Sequence, residues 1–387
     1  MTTFPPSFLD QIRRRLSLAD VIGRYATVQK RGSNLLACCP FHKEKSPSFY
    51  IYEEDAHYHC YGCKAHGDIF TFLMEKKGYS FPEVVEELAG QAGIQMPREE
   101  GDPEQNQRDR DQRELFYEIM EKAAQFYEKQ LRSNIGAHAK NYIDNRGITQ
   151  ATQQTFRLGY APRGNILSDY LQGLGYKTEN LKALGLIKES RDRPGEFYDN
   201  FRDRLLFPIW DNRGKVIAFG GRILGAGEPK YLNSPETPLY HKSDVVYGYH
   251  LARQNKAKEA PVICSEGYMD VVALHQGGFT GAVAPLGTAI TEAQLRLLWR
   301  LDKEPIISLD GDSAGERAAF RALETALPFL RPGQSLRFVS LPAGEDPDTL
   351  IQAGKSDLLQ GLYANASPLV EKLWNTNLEG ANLETPE

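Results

Sequence analysis

The sequence predicts a multi-domain protein of α+β and α/β class. A small N-terminal unit has helices flanking a cysteine-bearing sheet; a mixed α/β region follows, then a Rossmann-like parallel sheet. Three observations predict this. Four of the five cysteines lie between positions 38 and 63. The run REEGDPEQNQRDRDQR at positions 98–113 holds no aliphatic or aromatic residue. From Pro261 onward, short apolar runs alternate with helical patterns, which specifies parallel strands joined by crossover helices.

Taken in order, residues 1–97 read as one unit. Helices are expected from about Pro6 to Leu16 and near Ala19 to Tyr25, strands over Ser48 to Tyr52 and Ala56 to His59, and further helices over Asp68 to Lys77 and Phe81 to Ala92. Pro97 closes the unit, and 98–113 has the composition of a flexible, solvated linker. Leu115 to Leu131 carries apolar residues at helical spacing, and Ala137 to Asn145 is a helix stopping at Gly147. Leu205 to Trp210 and Val216 to Gly220 flank Asp211-Asn-Arg-Gly214, a hairpin signal. Strands are then expected at Pro261 to Glu266, Gly281 to Pro285, Pro305 to Asp310 and Leu336 to Leu341. Helices separate them at Met269 to His275, Glu292 to Leu301 and Ala314 to Leu327.

A chain of 387 residues with 41% hydrophobic content supplies cores for two or three domains. No stretch of eighteen apolar residues exists, and the start lacks the pattern of a signal peptide, so a cytoplasmic monomer without membrane contact is expected. The net charge of −5 argues against a bulk polyanion binder. Residues 1–50, however, hold eight Lys/Arg against three Asp/Glu, so nucleic-acid contact is expected from local basic patches.

Cys39-x₂-His42-x₁₇-Cys60-x₂-Cys63 places paired ligands on two turns with strands between, the layout of a zinc ribbon. Such a closed set holds one structural Zn²⁺. The residues alone leave the register open, because Cys38 adjoins Cys39 and His57, His59 and His66 are spare imidazoles. A redox reading of Cys60 and Cys63 leaves Cys39 and His42 without purpose. Lys30, Arg31, Lys43 and Lys45 are interleaved with Phe49, Tyr50, Tyr52, Tyr58 and Tyr61, which suits single-stranded nucleic acid: cations take phosphates and aromatic faces take bases. Strand alternation expects Phe49 and one tyrosine to be buried.

Carboxylates end the apolar runs of the second half: Glu266 in Pro261-Val-Ile-Cys-Ser-Glu266, Asp270 one helical turn on, and Asp310 and Asp312 in Leu309-Asp310-Gly-Asp312. Strand carboxyl ends are where ligands sit in open α/β sheets. Acids gathered there repel one another unless a hard cation holds them, so Mg²⁺ or Mn²⁺ is the expected occupant. A helix N-cap accounts for Asp312 alone but not for Glu266.

At CCPFHKEKSPSF followed by HCYGCKAHGD the chain is similar to the zinc-binding domain of bacterial replicative primases of the DnaG type. EGYMDVVAL, DGDSAG and GEDPDTL resemble the Toprim module of that family, and YLNSPETPLYHKS resembles the segment before it. The resemblance covers essentially the whole chain. It implies a DNA primase, a DNA-directed RNA polymerase making short RNA primers on single-stranded DNA from ribonucleoside triphosphates, at bacterial replication forks. It implies catalytic metals, two or more, on Glu266, Asp310 and Asp312, with Asp346 and Asp348 as further acids and Asp270 in support. Arg146, Arg222, Lys230, Asn233 and Lys242 match the family's groove for template and nucleotide, with Arg146 and Lys230 counted as catalytic and Lys30 and Lys45 as template contacts of the ribbon. The zinc ligands become Cys39, His42, Cys60 and Cys63. The implied domains are a zinc-binding domain at 1–97, the linker at 98–113, an N-terminal polymerase subdomain at 114–243, a Toprim subdomain at 244–366 and the start of a helical subdomain at 367–387. Family members continue into a helicase-binding domain, so contact with the replicative helicase is expected to be lost in a chain ending at Glu387.

Two other classes share some of these features. A Toprim topoisomerase needs a nucleophilic tyrosine, and nothing marks one of the 19 tyrosines for that role. A non-catalytic zinc-ribbon binder has no use for the acids.

Overall fold

The computed structural model describes residues 4–31, 34–53, 55–97, 103–190, 192–225, 227–255, 260–287 and 289–378. The chain divides into two compact units, Met1–Asn106 and Gln107–Glu387.

In the first unit an antiparallel sheet runs in the order β1-β2-β3-β4-β5, formed by Gln29–Arg31, Asn34–Ala37, Phe49–Tyr52, His57–Cys60 and His66–Gly67. The period of two decides its faces. Phe49, Ile51, Tyr58 and Cys60 are buried, while Tyr50, Tyr52, His57 and His59 keep partial exposure on the other side. Phe49 stacks on Tyr58 at 4.9 Å, as expected of one phenylalanine and one tyrosine. Helices Pro6–Arg15, Ile69–Lys77 and Phe81–Ala92 cover that face with Ile12, Phe70, Phe72, Val84, Val85 and Leu88. Their ends follow local chemistry: Asp68 caps Ile69–Lys77 by accepting from Thr71 N, Gly78 ends it in left-handed conformation, and Ser80 with Glu83 forms a capping box.

The helix Pro103–Leu131 starts before the boundary at 106/107 and runs on into the second unit, and this corrects the linker expectation. Residues 98–102 lie outside the described residues, but 103–113 are helical. Composition reported exposure, not conformation: the side chains from Gln107 to Glu114 are exposed, and burial begins at Phe116. Glu, Gln and Arg are good helix formers, and Gln107 Nε2 donates to Asp111 Oδ1 at 2.7 Å across one turn.

The mixed region holds a four-stranded antiparallel sheet, β11-β10-β9-β6, from β6 (Gly159–Ala161), β9 (Arg204–Trp210), β10 (Val216–Ile223) and β11 (Tyr231–Asn233), beside the pair β7 (Ile187–Glu189) and β8 (Phe197–Asp199). The β9–β10 hairpin forms where it was expected, with Asp211 Oδ1 accepting from Arg213 N and Lys215 N and Gly214 at φ +85°.

The third sheet runs β12-β14-β13-β15-β16-β17, from Val246–Tyr247, Ala282–Pro285, Ile263–Cys264, Ile306–Leu309, Arg337–Ser340 and Ser367–Pro368. The central four strands are parallel; β12 and β17 add antiparallel edges. The chain leaves β13 toward β14 and then returns to β15 on the other side, so β13 and β15 border the topological switch point. A single core joins this sheet to the antiparallel one, with Phe207 of β9 stacked on Tyr268 at 5.1 Å.

Candidate metal centres and nucleic-acid groove

Four zinc-type ligands converge in the first unit. Cys39 and His42 sit in the turn after β2, Cys60 ends β4, and Cys63 lies in the turn to β5; their ligand atoms all fall within 4.8 Å of one another. A tetrahedral site with Zn–S bonds of about 2.3 Å has ligand–ligand edges of roughly 3.8 Å. Cys39 Sγ stands 3.7 Å from Cys63 Sγ, and Cys60 Sγ stands 3.8 Å from His42 Nδ1. Each turn points an amide at its first cysteine, Phe41 N to Cys39 Sγ and Cys63 N to Cys60 Sγ, both 3.4 Å, which favours thiolates. The set fits one Zn²⁺. Cys38 is exposed and outside the cluster.

On the sheet face away from the helices, Tyr52 stacks on His57 at 4.6 Å, His59 packs on Tyr61 at 4.5 Å, and Tyr61 meets Tyr50 at 5.1 Å. Lys45 is exposed in the loop before β3. Strand register aligns Lys30 with Leu35, Ile51 and Tyr58, on the face opposite these rings, and puts the exposed Arg31 on the aromatic side.

In the second unit, Glu266 follows β13 by two residues and Asp310 directly follows the adjacent β15, so both leave neighbouring strand ends. Glu266 Oε1 accepts from Asp310 N at 3.1 Å. Asp312 caps the helix Ser313–Ala326, accepting from Ala314 N and Gly315 N at 2.8 Å each, and Asp346 caps Pro347–Gln352. The glycines of Asp310-Gly-Asp312-Ser-Ala-Gly315 are needed for close packing: a Cβ on Gly311 would stand 2.2 Å from Pro342 O, and one on Gly315 2.2 Å from Asp310 O.

Burial, then the charges of Glu266, Asp346 and Asp312, push Asp310 up to about 7. Asp270 is 9% exposed, and burial followed by Asp310 and Asp346 raises it well above the carboxylate range; its Oδ2 accepts from Gly267 N at 2.9 Å. Asp310 Oδ1 is buried without a hydrogen-bond partner. Oxygen donors that raise one another's pKa and leave one atom orphaned fit a hard divalent cation.

Asp348 stands differently from the other acids. It is 2% exposed, paired with Arg146 Nη1, and accepts from Gln352 Nε2 at 2.8 Å. Burial raises it, while the bond from Gln352 and the charge of Arg146 pull the other way. Both Arg146 and Arg222 lie over the ring of Tyr142, at 5.2 and 4.5 Å, and Arg222 pairs across the ladder with Tyr231. Arg222 Nε is buried and unpartnered, a second orphan at this edge.

Lys230 is exposed just before β11, and Lys242 runs beside Gly287, where a Cβ would meet its Cε at 3.4 Å. Asn233 is engaged internally on both sides: Oδ1 accepts from Tyr268 Oη at 2.6 Å, and Nδ2 donates to Leu286 O at 3.1 Å. Sequence reasoning passed over Tyr142, Tyr268 and Glu44. Tyr142 had a legible signal, its position one turn before Arg146 on one helix. Glu44 between two lysines reads as surface charge.

Three family models match the chain: a CHC2 zinc finger over residues 4–104, the DNA primase catalytic core N-terminal domain over 126–253, and a Toprim domain over 261–339. The DNA primase of Escherichia coli (strain K12) is 41% identical over 386 residues, 99% of this chain and 66% of that protein. The chain thus spans about two thirds of the length of that relative. The zinc-binding and RNA polymerase domains of Aquifex aeolicus primase, at 32% identity, superpose with a TM-score of 0.62 over 99% of this chain and 90% of that one. A DnaG primase catalytic domain bound to single-stranded DNA, 42% identical, matches 71% of this chain and 86% of its own with a TM-score of 0.66. Agreement of this extent in both units, with the three domains in the same order, means that the chain belongs to the DnaG-type DNA primases.

Proposed function

We propose that this chain is a primase, polymerising ribonucleoside triphosphates into short RNA on single-stranded DNA. The observation that carries the reading is the row Glu266, Asp310, Asp312 and Asp346 at the switch point of the parallel sheet, with Arg146 and Arg222 beside it. Attack of a 3′-hydroxyl on an α-phosphorus with loss of pyrophosphate needs placement and charge rather than covalent help from the protein. Glu266, Asp310 and Asp312, with Asp346 near them, would hold Mg²⁺ or Mn²⁺, two ions in the full reading. Held there, such a cation would supply charge to lower the hydroxyl's pKa and neutralise the triphosphate.

The chain's own residues do the rest. Arg222, its guanidinium held over Tyr142, supplies a positive charge suited to a phosphate oxygen. Lys230 and Lys242 add mobile point charges for triphosphate and template. Asp348 neutralises and aims Arg146, and Asn233 holds the strand that follows Lys230, so their parts are positional. In the ribbon, Tyr50, Tyr52 and Tyr61 offer base-stacking faces with Arg31 and Lys45 for phosphates, consistent with a role in template contact and initiation. In this reading the protein acts in the bacterial cytoplasm at replication forks.

The test is synthesis on single-stranded DNA with the four ribonucleoside triphosphates and Mg²⁺. Short RNA is expected, and Asp310→Ala abolishes it. Undiminished product from that variant, or cleavage of the DNA in place of synthesis, overturns the assignment.

A further inference from the structure

We propose that Glu44 is the positioning residue of the zinc site, fixing the His42 ring and the loop that carries Cys39; the proposal rests on the zinc reading of the cluster. Glu44 sits between the exposed Lys43 and Lys45, yet its side chain is only 12% exposed and turns inward. Both carboxylate oxygens carry two donors. Oε1 accepts from Cys39 N at 2.6 Å and Ser48 N at 3.2 Å; Oε2 accepts from Ser48 Oγ at 2.5 Å and faces His42 Nε2 at 3.2 Å. A carboxylate has about four lone-pair positions, and here all are used.

The geometry gives this arrangement a role beyond loop packing. His42 Nδ1 faces the cluster, 3.8 Å from Cys60 Sγ, so the proton of the neutral ring must sit on Nε2. Glu44 Oε2 is the acceptor that selects this tautomer and fixes the ring plane. The other side of the ring is closed by Gly62, where a Cβ would stand 2.7 Å from His42 Cε1 and 2.9 Å from Ser48 Oγ. The imidazole is held between a carboxylate and a backbone that admits no side chain. Through Cys39 N and Ser48 N the same carboxylate ties the end of β2 to the start of β3, which closes the loop that carries Cys39 and His42.

A glutamine at 44 keeps the size but presents an amide nitrogen to donors, so one pair of bonds is lost without a cavity. Full-length wild type, Glu44→Gln and Glu44→Ala are compared for zinc content, for zinc release to a chromogenic chelator, and for the visible absorption of the Co²⁺-substituted proteins. Both variants are expected to bind zinc about 10–100-fold more weakly than wild type. Glu44→Gln is expected to keep the fold and to show a perturbed Co²⁺ spectrum, which a merely structural surface residue would not produce. Zinc retention and a Co²⁺ spectrum equal to wild type in Glu44→Gln overturn the role of Glu44. Wild type without close to one zinc per chain overturns instead the zinc reading beneath it.

Discussion

The Tyr268 hydroxyl donates to Asn233 Oδ1 at 2.6 Å, and the same amide donates from Nδ2 to Leu286 O at 3.1 Å. This chain of bonds links β11, which follows Lys230, to the helix start two residues beyond Glu266 and to the loop after β14. It ties the strand that follows Lys230 to the acid row from the inside of the protein. Asn233 therefore shapes the groove without offering its amide to it.

Replacing Tyr268 by Phe isolates that link. The ring stays in place against Phe207 at 5.1 Å and Tyr247 at 4.7 Å, and only the hydroxyl goes. Stability in urea should fall by about 1 kcal/mol, the net contribution of one hydrogen bond. Primer synthesis should show a raised KM for nucleotide at nearly constant template affinity. Wild-type KM and kcat in Tyr268→Phe would show that the brace does not position the groove.

Arg146 and Asp348 make an unequal pair, with side chains 31% and 3% exposed. Arg146→Ala leaves a buried carboxylate without its cation, a loss of about 3–5 kcal/mol. Asp348→Asn keeps an acceptor for Gln352 and leaves only a half-exposed guanidinium, so it should cost clearly less. The double variant should recover most of the stability lost in Arg146→Ala while remaining inactive. Denaturation midpoints of the three proteins decide this, and equal losses in both single variants would contradict the asymmetry.

These two relationships also mark the limit of what the sequence shows. The capped helices Phe81–Ala92 and Glu292–Leu301 fall where they were read, because Ser80 with Glu83 and Thr291 with Gln294 are signals within one turn. The paired zinc turns and the β9–β10 hairpin are equally local. Arg146 and Asp348 are 202 positions apart, and Tyr268 and Asn233 are 35 apart, with no periodicity connecting them. Two predicted ligands therefore turn out to be bound to other side chains. The helix over 103–113 was missed for another reason: an absence of apolar residues reports lack of burial, and backbone conformation there is set by neighbours one turn apart.

Asp310 gives a pH signature. Pushed up to about 7 by burial, Glu266, Asp346 and Asp312, it binds its proton more tightly folded than unfolded, where the carboxyl titrates near 4. Between those values the folded state holds the extra proton, so without metal its contribution to stability is present at low pH and lost as pH rises to 7. Asp310→Asn removes this loss. The thermal midpoint of the variant minus that of wild type should be near zero at pH 4.5, grow through pH 7 and level off above it. Mg²⁺ at pH 8 should raise wild type and leave the variant unmoved. A difference flat in pH would mean that Asp310 is not held among those charges.

Zinc removal should separate the two units. The first unit's sheet has strands of two to four residues, and its two ligand turns are held by side chains that repel or stay protonated without a cation. Structural zinc contributes on the order of 10 kcal/mol in comparable small domains, more than such a core supplies. The second unit has its own core, from Phe116 to Leu286, with no zinc ligand in it. Chelation should therefore abolish a melting transition assigned to residues 4–97 and leave that of the second unit unchanged. Initiation on bare template should then fail, because the stacking face of Tyr50, Tyr52 and Tyr61 is lost. Extension of a supplied RNA primer should persist, because the acid row and the Arg146–Asp348 pair remain. Equal loss of initiation and extension, with the second unit still folded, would contradict this division.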